Sequence, residues 1–335
     1  LLRRQRQMCI RDSFNSAEAK TNMAFERIVN GYPFDGTSAE KAGFIASLGG
    51  YEKWIFDQFD SHKGYFAFDG DTYLKVEDLT GTAAPELAKK FGEAKATENF
   101  HTNGATHEFW IYVKSTVHST NTRIIYQKRD ASNAARAVSI WYQGTSATEY
   151  DVSFHISSDE FKSLKHTISS LEYDQWHHVA FVYERSSTER IFGYVDGEYH
   201  SNTSNNQSEL DDIIMGDGII YLGKTPDTFS TFAENSVVSN GFIGLLDEFR
   251  VWSTLRTPSQ IQAYMHKNVD SQLNLQLNYR FSEPSAATNN YQASPVVLDY
   301  SGNSLHTFIQ KPPASVHDPK AIVQNGSEDI LPPLQ

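Results

Sequence analysis

The chain has 335 residues, 39% hydrophobic and 13% aromatic, with 29 Lys and Arg against 41 Asp and Glu for a formal net charge of -12. That length suits one large β-sandwich with flanking pieces or two modest domains, and the excess of Tyr and Phe over Met favours strands over helix bundles. No Lys/Arg-rich run in the body of the chain can neutralise a row of phosphates, and no apolar run reaches the roughly 18 residues of a bilayer span, so neither nucleic acid nor membrane insertion is expected.

Cys9 is the single cysteine, so no intrachain disulfide, thiolate zinc site or Cys/His nucleophile can be assembled. The opening Leu1 to Ser13 (LLRRQRQMCIRDS) is basic but lacks a following apolar stretch, unlike a signal peptide. It resembles translated adapter sequence, and residues 1–13 are set apart as a non-native leader. The chain then reads as a fragment, whose missing signal peptide says nothing about secretion.

Residues 14–64 form a mixed N-terminal flanking segment. A short helix is expected from Thr37 or Ser38, where a hydroxyl cap precedes Phe44, Ile45 and Leu48 and Gly49-Gly50 ends the run. From Tyr65 the pattern changes to short alternating runs separated by Gly, Asn, Asp and Ser. Strands are expected over Tyr65–Phe68, His107–Val113, Thr122–Tyr126, Ala137–Tyr142, Tyr150–Ile156, His177–Glu184, Ile191–Val195, Ile219–Gly223 and Gly241–Val251. Asp196-Gly197 marks a tight turn and His200 to Ser208 a polar loop.

After Thr257-Pro258, Ser259 to Lys267 reads as a closing helix with Ile261, Tyr264 and Met265 on one side. Residues 269–335 carry strand candidates at Leu273–Phe281 and Val296–Leu298, then a turn at Asp299 to Asn303. The proline-rich end (Pro312, Pro313, Pro319, Pro332, Pro333) is expected to be extended. This segment is either an extension packed on the same sandwich or the start of a further unit.

Five local patterns, in order, carry a resemblance. They are Phe68-Asp69-Gly70-Asp71-Thr72-Tyr73-Leu74, Thr106-His107-Glu108-Phe109-Trp110-Ile111 and Gln175-Trp176-His177-His178-Val179-Ala180, then the Ile191 to Gly197 hairpin and Gly241 to Trp252 (GFIGLLDEFRVW). Together they resemble the laminin-G-like domain of the concanavalin A-like lectin and glucanase superfamily over residues 65–268. The resemblance implies an all-β jelly-roll β-sandwich of two antiparallel sheets, with short flanking helices and a partial C-terminal extension. The later runs Leu277 to Pro284 and Val297 to His306 resemble openings of a further unit, of the kind found in multi-domain surface proteins and phage structural proteins.

Trp110, Trp141, Trp176 and Trp252 lie in strand patterns and are expected to pack in the core. Candidate sugar contacts are instead aromatics placed on loops: Tyr142, Tyr199 and Phe229. His177 and His178 are adjacent in a strand and point to opposite faces, so they cannot chelate one metal together. His101, His107, His118 and His155 show no ligand spacing either.

Asp69, Asp71, Asp196 and Asp247 are hard oxygen ligands on or beside turns. Family members often hold calcium near the first-strand turn and the Asp of the D-E strand, which the resemblance transfers to Asp69 or Asp71 and Asp247. The alternative is that Asp247 and Glu248 serve strand pairing with Arg250. Glucanase relatives carry Glu-x-Asp-x-Glu on one strand face as nucleophile, helper and general acid. Glu149-Tyr150-Asp151-Val152-Ser153 and Glu172-Tyr173-Asp174-Gln175-Trp176 both lack the third carboxylate, so no enzyme activity is expected.

The expected function is a non-catalytic, lectin-like module of a secreted, cell-surface or virion protein that binds a glycan or glycoprotein. The runner-up is a structural or adhesive module contacting other chains of a surface or virion assembly without sugar. A glucanase-type hydrolase ranks third.

Overall fold

The computed structural model of the chain describes residues 64–76, 101, 104–129, 137–157, 163–185, 189–200, 220–224, 241–269, 271–281, 296–303, 305, 307–310 and 322–324. The expected leader, the helix near residues 37–50, Phe229 and the proline-rich end lie outside the described residues.

The strands are β1 (Gly64–Asp69), β2 (Tyr73–Val76), β3 (Ala105–Tyr112), β4 (Arg123–Arg129), β5 (Ala137–Gly144), β6 (Glu149–Ser157), β7 (Ser163–Glu172) and β8 (Trp176–Glu184). They continue as β9 (Arg190–Val195), β10 (Glu198–His200), β11 (Ile220–Leu222), β12 (Ile243–Trp252), β13 (Leu275–Tyr279), β14 (Val296–Val297), β15 (Thr307–Gln310) and β16 (Ile322–Gln324). A helix, α1 (Pro258–Tyr264), follows β12. One sheet runs β10-β9-β8-β3-β12-β1-β16, with β13 also paired to β12; the other runs β14-β15-β2-β11-β4-β5-β6-β7. The paired strands are antiparallel, so the chain is an all-β jelly-roll sandwich.

Period-two alternation builds this core. On β6, Tyr150, Val152, Phe154 and Ile156 turn inward and are fully buried, while Asp151, Ser153 and His155 occupy the intervening outward positions. Rings meet between the sheets: Phe154 lies 5.5 Å from Phe181 of β8, and Tyr126 of β4 lies 5.4 Å from Phe249 of β12. Burying each such ring stabilises the fold by about 1.5–3 kcal/mol.

Two strands depart from simple alternation. β7 was not among the expected strands, although it forms a ten-residue ladder with β6. Its register shifts opposite Tyr150/Val152, where Ser170 adopts φ 60°, and this bulge separates Ile168 from Leu171 by three positions rather than two. On β12, Asp247 pairs with Trp110 and Arg250 with Glu108, so one extra residue is inserted and Glu248 takes φ 47°. Asp247 and Arg250 therefore share the outward face despite their odd spacing.

α1 packs on that outward face through Ile261, which contacts Ala180, Val182 and Tyr194. It starts as its sequence dictates: the Thr257 side chain accepts from Gln260 N, Gln260 reciprocates to Thr257 N, and Pro258 occupies the first turn. Beyond it, β13 pairs with β12, β15 with β2 and β16 with β1. Leu277, Tyr279, Phe281, Val297, Leu305 and Ile309 are buried in the same inter-sheet core as Phe66 and Phe109.

Candidate functional site

The outward face of the second sheet is polar, with the Trp141 indole on β5 and the Tyr221 ring on β11 set in it. Cross-strand register places Ser139 of β5 between Gln127 of β4 and His155 of β6, and Trp141 opposite Ser153. On β7, Thr167 faces Ser153 and Lys165 faces His155. Gln127 Nε2 donates to Ser139 Oγ at 3.2 Å, and the Ser153 and Thr167 hydroxyls bond at 2.8 Å. The Trp141 ring lies 5.4 Å from the His155 ring, with Lys165 Nζ 5.4 Å from its centroid. Trp141 is 9% exposed, and it borders half-buried Lys165 and Thr167 and exposed Gln143.

Trp141 is buried as expected, but on the outward side of the sheet: its neighbours Ile140 and Tyr142 belong to the inter-sheet core while it does not. Gln127 Oε1 is buried without a hydrogen-bond partner among the described residues, an acceptor whose desolvation is uncompensated. Burial, reinforced by the charge of Lys165, holds the His155 imidazole down at about 4, so it is a neutral ring at ordinary pH.

The expected ligand aromatics do not converge. Tyr142 sits within β5 rather than on a loop and is fully buried; its hydroxyl bonds the Tyr173 hydroxyl at 2.8 Å, and Tyr173 bonds His118 Nδ1 at 3.0 Å. Its inward parity on the strand places its ring in the core and away from ligand. Tyr199 is 56% exposed but lies on β10 of the first sheet, 5.8 Å from the Tyr194 ring. Phe229 lies outside the described residues.

The expected calcium ligands do not fit one shell. Asp69 pairs with Ile243, so Asp247 lies four residues further along β12, about 13 Å away at ~3.3 Å per residue. Ions of this kind need oxygens gathered within ~2.6 Å. Asp69 Oδ1 accepts from the amides of Asp71 and Thr72 and closes its own turn, and Asp71 pairs with Lys224 at 3.1 Å. Asp247 is fully buried and accepts from Glu248 N, holding the β12 bulge. Asp196 likewise accepts from His178 N at 2.7 Å. Among the described residues no group of three or more His, Cys, Asp or Glu is placed to hold a metal ion.

On the far side of the molecule, Trp110 and Trp252 lie against the first sheet's outward face. Trp110 Nε1 donates to Met265 O, which anchors the segment after α1, and Trp252 Nε1 donates to Glu108 Oε1 of β3. Arg256 stacks 4.0 Å from the Trp252 centroid. Trp176 is half-buried beside Tyr65 and Tyr112. His177 and His178 do face opposite sides: His177 bonds Asp196 at 3.3 Å near Tyr150, while His178 approaches Glu108 and Trp110.

The fold is thus a jelly-roll sandwich carrying a helix-covered face and an opposite face of hydroxyl, amide and indole groups. The chain belongs to the concanavalin A-like lectin/glucanases superfamily, whose laminin G family model matches residues 68–262. No curated protein matches it in sequence. Among solved structures it is similar to a putative carbohydrate binding protein from Bacteroides ovatus, at 17% identity and TM-score 0.45, covering 74% of this chain and 60% of that one. It is similar to the CBM40 of Ruminococcus gnavus IT-sialidase bound to alpha2,3 sialyllactose, at 12% identity and TM-score 0.39, covering 60% and 95%. Mouse laminin alpha1 domains LG4-5 follow at 12% identity and TM-score 0.35, covering 58% and 42%.

Proposed function

We propose that this sandwich is a non-catalytic carbohydrate-binding module of a secreted, surface or virion protein, and that the glycan lies on the outward face of the second sheet at Trp141. The observation that supports this most is the setting of the indole: it stands among Ser139, Ser153 and Thr167 hydroxyls, with the Gln127 Oε1 acceptor unmet. A pyranose presents an apolar C–H face to such a ring and hydroxyls to the groups around it. Membership of a superfamily that includes lectins is consistent with the reading, though fold alone does not assign function.

Hydrolysis is disfavoured by the same face. Glu149, Asp151 and Ser153 take alternate positions on β6, with Asp151 opposite Gln143 and Ser153 opposite Trp141. The third position, where a glucanase needs a general acid, holds a hydroxyl bonded to Thr167. The test is a glycan-array screen of the full chain beside Trp141→Ala and Tyr199→Ala. Saturable binding lost in Trp141→Ala and kept in Tyr199→Ala supports the site. A folded protein that binds no glycan overturns it and favours a structural or adhesive module.

A further inference from the structure

Resting on that reading, we propose that the ligand is an anionic sugar, carboxylated or sulfated, whose charge is met by Lys165, the cation over the Trp141 ring. Lys165 faces His155 across β6 and β7 and holds its ammonium 5.4 Å from the indole centroid. Among the described residues no carboxylate lies within ion-pair distance of Nζ, in a chain with 41 acidic side chains against 29 basic ones. A cation with no contacting carboxylate among the described residues, over an indole on a polar face, leaves a place for an incoming negative charge.

Stacking geometry separates anionic from neutral ligands. A neutral pyranose seated on the indole displaces the ammonium from the ring and gives up a cation–π contact with no replacement. A sugar bearing a carboxylate or sulfate offers the displaced ammonium an ion pair in exchange, so that stacking and ion pairing act together. Lysine is a flexible point charge and suits either group, unlike the planar fork of arginine. The nearest acid on this face, Asp151, is turned to the Ser170 amide, which its Oδ1 accepts at 3.2 Å. It lies opposite Gln143, two residues along β5 from Trp141, and the attraction between it and Lys165 acts from beyond ion-pair distance.

The experiment uses calorimetry on the full chain, with an oligogalacturonate, its carboxyl-reduced neutral form and a sulfated galactan as probes. These are titrated into the native protein, Lys165→Met and Trp141→Ala, each checked for an unchanged melting curve. The native protein is expected to prefer at least one anionic probe over the neutral one by about tenfold or more, and the preference should shrink as salt approaches ~1 M. Lys165→Met should erase that preference by weakening the anionic probes to the level of the neutral one, and Trp141→Ala should weaken every probe. Which anionic probe binds distinguishes carboxylate from sulfate. Equal affinities for anionic and neutral probes, or an anionic preference that survives in Lys165→Met, overturn the inference while leaving the Trp141 site standing. Binding untouched by Trp141→Ala overturns the site itself.

Discussion

Arg250 is clamped by Glu248, two residues back on its own strand: Nε donates to Glu248 Oε2 at 3.0 Å, and a terminal guanidinium nitrogen reaches the same oxygen. A second carboxylate, Glu108 of β3, lies 3.5 Å from another guanidinium nitrogen, and the three side chains are buried to within 1%. The guanidinium also donates to the carbonyls of Tyr264 and Lys267. The cluster therefore ties the bulged β12 to the end of α1, a junction built from charges that cannot be left alone in a dry interior.

Removing the cation strands two buried carboxylates. Arg250→Met is expected to cost about 3–5 kcal/mol, well beyond a surface change. Urea denaturation followed by fluorescence reads this directly. A loss below ~1 kcal/mol would mean that the cluster is hydrated and its geometry energetically idle.

Acid should destabilise the fold through its histidines. Burial holds His107 down at about 3 and His155, His166 and His178 at about 4, against ~6.5 in an unfolded chain. Between these values the unfolded state binds more protons, so stability rises with pH. It is fully present above ~pH 6.5 and is lost as pH falls toward ~4. The urea midpoint should drop steadily across that window, and a flat midpoint would contradict the burial of these rings.

The C-terminal strands should be indispensable. We propose that the folded unit extends past residue 268, because β13 and β15 complete both sheets. Asp299 secures the join: its carboxylate accepts from Asn278 N at 2.9 Å, Ser301 N at 2.9 Å and Leu305 N at 3.0 Å, and from the Ser301 hydroxyl at 2.7 Å. Asp299→Ala is expected to cost about 3 kcal/mol through buried donors left unmet. A chain stopped at residue 268 should bind a hydrophobic dye and melt without a sharp transition. If it melts cooperatively at the parent temperature, residues 269–335 are a separate unit.

Chelation should leave the melting temperature unchanged, since Asp69, Asp71 and Asp247 cannot share an ion. Asp71→Ala, which removes an exposed pair with Lys224, should change stability by under ~1 kcal/mol. Asp247→Ala should destabilise with or without calcium, because it uncaps the β12 bulge. A calcium-induced rise in melting temperature that both variants abolish would restore the shared site.

The alternation of residues in the sequence was enough to determine the class of fold, most strand positions and the closing helix, because period two and a hydroxyl cap before Pro258 act locally. It also held the parity that separates Trp141 from Ile140 and Tyr142. Parity, however, says only that residues lie on opposite faces, and which face meets the other sheet depends on packing between distant strands. The bulges at Ser170 and Glu248 shift that parity midway along a strand, which hid β7 and put Arg250 beside Asp247. Likewise, Asp69 and Asp247 look like partners as residue types, and register alone separates them. Local chemistry chose the strands; tertiary structure chose their neighbours, and with them the ring, the hydroxyls and the lysine that form the candidate site.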